Sequence, residues 1–302
     1  MMNATPFDYL RTTDGIRLRY GHWPVRRAKC RGTAVVLSGR SEFIEKYLET
    51  IHDLMDRGFS VFSLDWRGQG LSQRLLAETE KGYVRSYDEY LLDVDRLLDI
   101  VSMRQTRRPL IVLAHSMGAN ILLQCLHRHC GRIDRAVLLS PMVDIGTEPI
   151  PKYFAIQCSR LFVKTGLGHL AVPRVRPNDS FGCTFHRNRL THDRDRFCHV
   201  QRLVQENSRF LVPSITFAWL AATFEAIARL SRPGFFRSIT TPVLVVAAGG
   251  DRIVSNEAIG NMAAQLPNAT LISIAGAYHE ILQEHDGVRD IFWQAFERFV
   301  GC

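Results

Sequence analysis

The chain has 302 residues, 46% hydrophobic and 23% charged, with a formal net charge of +8. That length and balance suit a globular protein with a sizeable core, either one large α/β domain or two small ones, and argue against a disordered or fibrous chain. No uncharged apolar run reaches the roughly 18 residues of a spanning helix, and the seven cysteines show no C-x-x-C pair, so neither a disulfide framework nor a structural metal is expected.

Residues 1–8 carry neither a basic nor an apolar leader stretch, so a cytoplasmic location is expected. The basic excess is local. Between residues 152 and 209 eleven Lys and Arg stand against four Asp and Glu. Such a surface is either simply solvated or attracts an anionic partner, and a phospholipid membrane touched peripherally at its inner face fits that pattern. No aromatic-basic nucleic-acid signature accompanies this excess, so no nucleic acid is expected.

Residues 7–11 and 16–20 alternate around Asp14-Gly15, a hairpin signal, and predict an antiparallel opening pair. Residues 34–37 are a continuous apolar run ending in Ser38-Gly39-Arg40. A helix is predicted through Phe43, Tyr47, Leu48, Ile51 and Leu54, stopped by Gly58. Residues 60–65 form a second buried strand, running into Trp66-Arg67-Gly68-Gln69-Gly70-Leu71-Ser72, where glycines let the chain turn tightly. No helix of the right length begins there, so a phosphate cradle is not expected. A helix follows over 87–101, then a strand from Leu110, a helix through Ile121 to Leu126, and a strand over 133–139. Continuous apolar strands linked by helices mean a parallel sheet covered on both faces, with ligands at the strands' carboxyl ends.

Residues 142–238 break the rhythm. They hold helical stretches at 153–163, 194–206 and 215–230, a loop rich in Pro, Arg and Asn at 173–178, and no parallel strand. We read them as a helical cap inserted into a core made of residues 1–141 and 239–302. The rhythm resumes with a strand from Val243 to the glycines before Asp251, a helix over 258–266, a strand over 271–274, a loop carrying His279, and a last helix over 288–300.

The chemistry centres on residues 110–119, a strand, sharp turn and helix with Ser116 at the apex. The pattern is G-x-S-x-G with Ala114 in place of the first glycine. A serine hydroxyl needs a base and a group to orient that base. Of eleven histidines, His279 alone follows a late strand, in a Gly-x-x-His loop. His127 and His129 end a helix, while His169, His186, His192 and His199 belong to the cap. The elbow turns His115 away, and it reads as packing. Asp251, closing the strand before the one that delivers His279, is the favoured acid. Asp144 is the alternative. Backbone N–H groups of Met117 and Arg40 are placed to form an oxyanion hole, and neither a metal nor a cofactor is called for.

Five landmarks in order resemble the α/β-hydrolases, and within them the lysophospholipase and monoacylglycerol lipase branch. They are Ser38-Gly39-Arg40, the stretch from Asp65 to Ser72, His115-Ser116-Met117-Gly118, the stretch from Gly250 to Val254, and Gly276-Ala277-Tyr278-His279. Ser38-Gly39 stands where His-Gly is usual, a departure that resembles bacterial lysophospholipases. The resemblance implies an α/β-hydrolase fold with a mostly parallel sheet, helices on both faces and an inserted cap. It implies cofactor-free hydrolysis of the acyl ester of a lysophospholipid or monoacylglycerol through an acyl-enzyme. The cap would then supply an apolar acyl pocket, with candidates Phe154, Leu161, Phe162, Phe217, Trp219 and Phe224. Arg187, Arg189, Arg194 and Arg196 would meet a phosphate headgroup or form a solvated face. A carboxylesterase of short-acyl esters and a silent binding protein of the same fold are the competing readings.

Overall fold

The computed structural model describes residues 5–104, 106–128, 131–147, 149–173 and 184–301. The opening hairpin is β1 (Phe7–Arg11) and β2 (Arg17–Trp23), with Phe7 opposite Gly21. Next come β3 (Gly32–Leu37), α1 (Leu48–Asp56) and β4 (Phe59–Leu64). The short strand β5 (Lys81–Gly82), α2 (Tyr87–Met103), β6 (Leu110–His115), α3 (Met117–Arg128) and β7 (Arg135–Leu139) follow. The chain continues through α4 (Lys152–Lys164), α5 (Arg194–Glu206), β8 (Ser214–Ile215) and α6 (Phe217–Leu230). It closes with β9 (Val243–Ala248), α7 (Asn256–Ala263), β10 (Ala269–Ile274) and α8 (Asp286–Gly301).

One eight-stranded sheet runs in the order β1-β2-β4-β3-β6-β7-β9-β10. Its first two strands are antiparallel, and from β4 to β10 every pairing is parallel. The apolar runs exist because both faces are covered. Val35, Leu37, Val112, Ala114, Leu138 and Val245 face α2, α3, α6 and α7. Their alternates Ala34, Val36, Ile111, Leu113, Val137 and Val246 face α1 and α8. The chain leaves β3 towards β4 on one side and returns to β6 on the other. The crevice between the carboxyl ends of β3 and β6 is therefore the place where the order reverses, the position at which open parallel sheets take their ligands.

The first helix differs from its expected span. Residues Ile44–Tyr47 form a 3-10 turn and α1 begins only at Leu48. The cause is tertiary: the Ile44 N–H is drawn to the carboxylate of Asp65, 2.9 Å away. The segment between β7 and β9 is helical as expected, but it is not free of strands. β8 pairs in parallel with β5 outside the main sheet, a pairing of two residues each that leaves no periodicity to detect. The loop expected at 173–178 lies, except for its first residue, outside the described residues. Within this segment α6 buries Trp219, Ala222, Ala226 and Leu230 in the main core. By contrast α4 buries only Ser159 and leaves Tyr153, Phe154 and Leu161 at 75%, 63% and 58% exposure.

Candidate active site

Ser116 sits between β6 and α3 with φ at +51°, a conformation that costs a non-glycine residue on the order of 1–3 kcal/mol. Its surroundings over-determine it. The Ser116 N–H donates to the Leu139 carbonyl, and its own carbonyl accepts from the N–H groups of Ala119, Asn120 and Met142. The turn needs Gly118, because a Cβ there would lie 2.5 Å from the Ser38 carbonyl oxygen and 2.8 Å from that of Leu37. No such constraint falls on position 114, where alanine is accommodated as a buried strand residue.

The serine Oγ is 3.0 Å from Nε2 of His279, and Nδ1 of the same ring is 2.7 Å from Oδ2 of Asp251. All three side chains are largely buried. The loops bearing His279 and Asp251 are tied together. The N–H of Gly249 donates to the Ile274 carbonyl and that of Gly250 to the Ala277 carbonyl. Burial works to raise the Asp251 carboxyl. The hydrogen bond and charge of His279, with N–H groups of Ile253 and Val254 on the other oxygen, outweigh it and hold the group below its ordinary value. Asp144, the alternative acid, pairs instead with Lys152. A hydroxyl, an imidazole and a carboxylate in this relay can carry out acyl transfer through a covalent intermediate.

The sequence profile described as serine aminopeptidase, S33, matches residues 28–286. The chain belongs to this family. Relatives at about 30% identity cover most of the chain. It is 30% identical over 285 residues to the probable lysophospholipase L2 of Haemophilus influenzae, covering 94% of this chain and 88% of that one. It is 31% identical over 296 residues to lysophospholipase L2 of Escherichia coli K12, covering 91% and 84%. Among solved structures, a soluble variant of monoglyceride lipase from Saccharomyces cerevisiae in complex with a substrate analog superposes with a TM-score of 0.77. Its identity is 17%, with 99% and 96% of the chains covered. The monoacylglycerol lipase of Paleococcus ferrophilus gives 0.73 at 20% identity, covering 94% and 98%. The fold is that of the α/β-hydrolases, as expected.

In this S33 chain the stretch after β4 is a brace rather than a ligand cradle. The Asp65 carboxylate accepts the N–H groups of Ile44 and Leu71, each at 2.9 Å, and pairs with Arg19 at 3.1 Å. The Trp66 indole donates to the Ser38 carbonyl at 2.9 Å, and Gln69 accepts the Ser41 N–H. Gly68 and Gly70, at φ +75° and +51°, make the turn that brings these groups back onto the loop after β3. The N–H groups on either side of Arg40 are committed, that of Gly39 to Glu42 and that of Ser41 to Gln69. Met117 opens α3, where N–H groups have no intrahelical partner and the helix dipole favours negative charge.

The other candidates scatter. Phe217 is buried and stacks on Phe162, with ring centroids 3.9 Å apart. Trp219 packs in the main core, with the Arg40 guanidinium 5.6 Å from its ring. Phe154 stands in solvent on α4. Arg187 is exposed and Arg189 half-buried. Arg196 is not available to a headgroup, because Glu49, Asp193 and Asp286 already bind it. His192 is bound to Glu284, and His127 to Ser238, while His129 lies outside the described residues.

His115 corrects the packing assignment. Its ring is buried but fully engaged, with Nδ1 at 3.2 Å from Glu42 Oε2 and Nε2 at 3.2 Å from the His279 carbonyl oxygen. Glu42, Lys46 and Glu280 were not singled out from the sequence. The usable signal was the spacing of Glu42 and Lys46, four apart and each followed by an aromatic residue, Phe43 and Tyr47.

Proposed function

We propose that this chain is a serine ester hydrolase acting on lysophospholipids or monoacylglycerols, with Ser116 as nucleophile, His279 as general base and Asp251 as its orienting acid. The observation that carries this reading is the relay from Ser116 Oγ through His279 to Asp251, at 3.0 and 2.7 Å. Ser116 Oγ attacks the ester carbonyl while His279 Nε2 takes its proton. The resulting oxyanion is held by the N–H groups of Arg40 and Met117. The ester C–O bond breaks, the leaving alcohol receives the proton from His279, and the acyl group stays on Ser116. Water then attacks by the same route, releasing the fatty acid and returning a proton to Ser116. The names of the bacterial relatives support the lysophospholipid class, and the likeness in fold to monoacylglycerol lipases fits a related substrate.

Residues 142–238 serve as the cap over this site, with Phe217 and Trp219 on its inner helix. Purified protein is expected to turn over lysophosphatidylcholine or monoacylglycerol at higher kcat/KM than short-acyl nitrophenyl esters. The reverse order would assign it instead to small carboxylic esters, and no turnover of any ester would favour a binding role.

The same cap is the face that meets the membrane. Tyr153, Phe154 and Leu161 are exposed on α4, and Lys152, Arg160 and Lys164 lie on the same helix. That composition suits an anionic lipid surface. No helix among the described residues is long and apolar enough to cross a membrane. Replacing Tyr153 and Phe154 by serine is expected to weaken sedimentation with phosphatidylglycerol vesicles by about ten- to a hundredfold, since burying half of two aromatic rings is worth roughly 1.5–3 kcal/mol. Binding of the unaltered protein is expected to fall as salt rises. Equal sedimentation of variant and parent would remove α4 from the contact.

A further inference from the structure

We propose that His115 is a positioning residue, a buried imidazolium whose two N–H groups tie the main chain of His279 to Glu42 and, through Glu42, to the oxyanion loop. This rests on the reading of Ser116 and His279 given above.

The argument starts from hydrogen-bond inventory. A neutral imidazole has one N–H, yet both ring nitrogens of His115 face oxygens, the carboxylate of Glu42 and the carbonyl of His279. Only the doubly protonated ring makes both bonds. A neutral ring would set a lone pair against an oxygen in a buried site, which is costly.

The charge is compensated where it stands. Glu42 is buried and accepts four groups: the Gly39 N–H, the Tyr47 hydroxyl at 2.6 Å, the Lys46 ammonium at 2.8 Å, and His115. Lys46 also reaches Glu280 at 2.6 Å, the residue after His279. Two carboxylates and two cations therefore sum to zero. The groups facing His115 are Glu42, Lys46, Glu280 and the ring of His279, whose centroid is 4.8 Å away. Burial alone would lower the His115 value, but Glu42, then Glu280, overcome it and hold it above the ordinary one.

The packing is specific to this contact. A Cβ on Gly39 would lie 2.8 Å from Glu42 Oε2 and 2.9 Å from His115 Nδ1. The residue before Arg40 thus has no room for a side chain, because the oxyanion loop lies directly on the Glu42–His115 pair. One cluster fixes both the loop that would bind the oxyanion and the loop that presents the base.

Two readouts test this. In protein labelled with ¹⁵N-histidine and assigned through bonds from the backbone, His115 is expected to keep both ring protons at pH values above the ordinary histidine range. His115→Gln removes one positive charge and leaves the cluster net negative, which favours protonated His279. The acid limb of kcat/KM is then expected to move up by about one pH unit. kcat is expected to drop about tenfold or more, with KM within about twofold. Adding Glu42→Gln restores neutrality, so the limb is expected to return. A single ring proton on His115 at pH 7 overturns the proposal, and so does a His115→Gln enzyme with unchanged kcat and pH profile. Should the variants fail to fold, the spectrum of the unaltered protein decides. Full turnover by Ser116→Ala would instead sink the hydrolase reading, whatever the spectrum shows.

Discussion

Asp251→Asn is expected to lower kcat by about 10⁴-fold while the protein stays folded. Oδ1 of Asp251 accepts the N–H groups of Ile253 and Val254, at 2.8 and 3.2 Å, so an asparagine keeps its carbonyl oxygen there. Its NH₂ is then turned towards Nδ1 of His279, where Oδ2 now stands at 2.7 Å. A donor at that point requires Nδ1 to be the unprotonated nitrogen. The proton moves to Nε2, which faces Ser116 Oγ at 3.0 Å and can no longer accept its hydrogen. Fold and shape survive, and only the tautomer is wrong. The Asp251 carboxyl lies below its ordinary value, so it stays ionised as pH falls through the range where an imidazole titrates. Asp144→Asn, which breaks a pair with Lys152 at the edge of the cap, is expected to leave kcat within about twofold. Steady-state kinetics on a soluble ester separates the two. Equal losses would return the acid's identity to the alternative.

Asp93→Ala is expected to cost about 3–5 kcal/mol of unfolding free energy, measured by urea titration. Arg67, buried at the turn after β4, donates to Asp93 at 2.8 and 2.7 Å and to Asp14 at 2.6 Å. The Asp93 side chain is wholly buried on α2 and also accepts the Arg67 N–H at 3.2 Å. Removing the carboxylate leaves the buried Arg67 Nε without a partner, leaves only the partly exposed Asp14 and Glu89 against the guanidinium's charge, and frees one end of the turn that braces the loop after β3. A matching loss of kcat at temperatures well below unfolding is expected, because Trp66 and Gln69 ride on that turn. Glu78→Ala, at an exposed pair with Lys81, serves as the control and is expected to leave the urea midpoint where it is. A midpoint for Asp93→Ala equal to that control would mean that Arg67 finds solvent at no cost.

Ser116 and Asp251 were legible because each follows an apolar run that forms a fully buried parallel strand, and such strands present their carboxyl ends at one rim; His279 follows β10, the partly exposed edge strand of the same parallel set. The choice between Asp251 and Asp144 was not legible with certainty, since it depends on β9 lying beside β10 and the two loops being bonded to each other. Buried charge was illegible for a related reason. Lys46 and Glu280 are 234 positions apart, and Glu42 and His115 are 73 apart, so nothing local in the sequence pairs them. Arg196 read as a free cation for the same cause, its carboxylates coming from α1 and the start of α8 as well as from its own cap. The aromatic residues of α4 err in the opposite direction. Phe154 reads as an acyl-pocket candidate, yet it stands exposed on α4, the helix that packs on α6. The strands β5 and β8 carry two residues each, too few for any pattern.

The most direct measurement is covalent labelling by a fluorophosphonate, followed by mass spectrometry of the digested adduct. One equivalent is expected on the peptide bearing Ser116, abolished by Ser116→Ala in protein that melts like the parent and slowed by orders of magnitude in His279→Ala. An adduct mapped to any other residue, or equal labelling of Ser116→Ala and parent, would contradict the account.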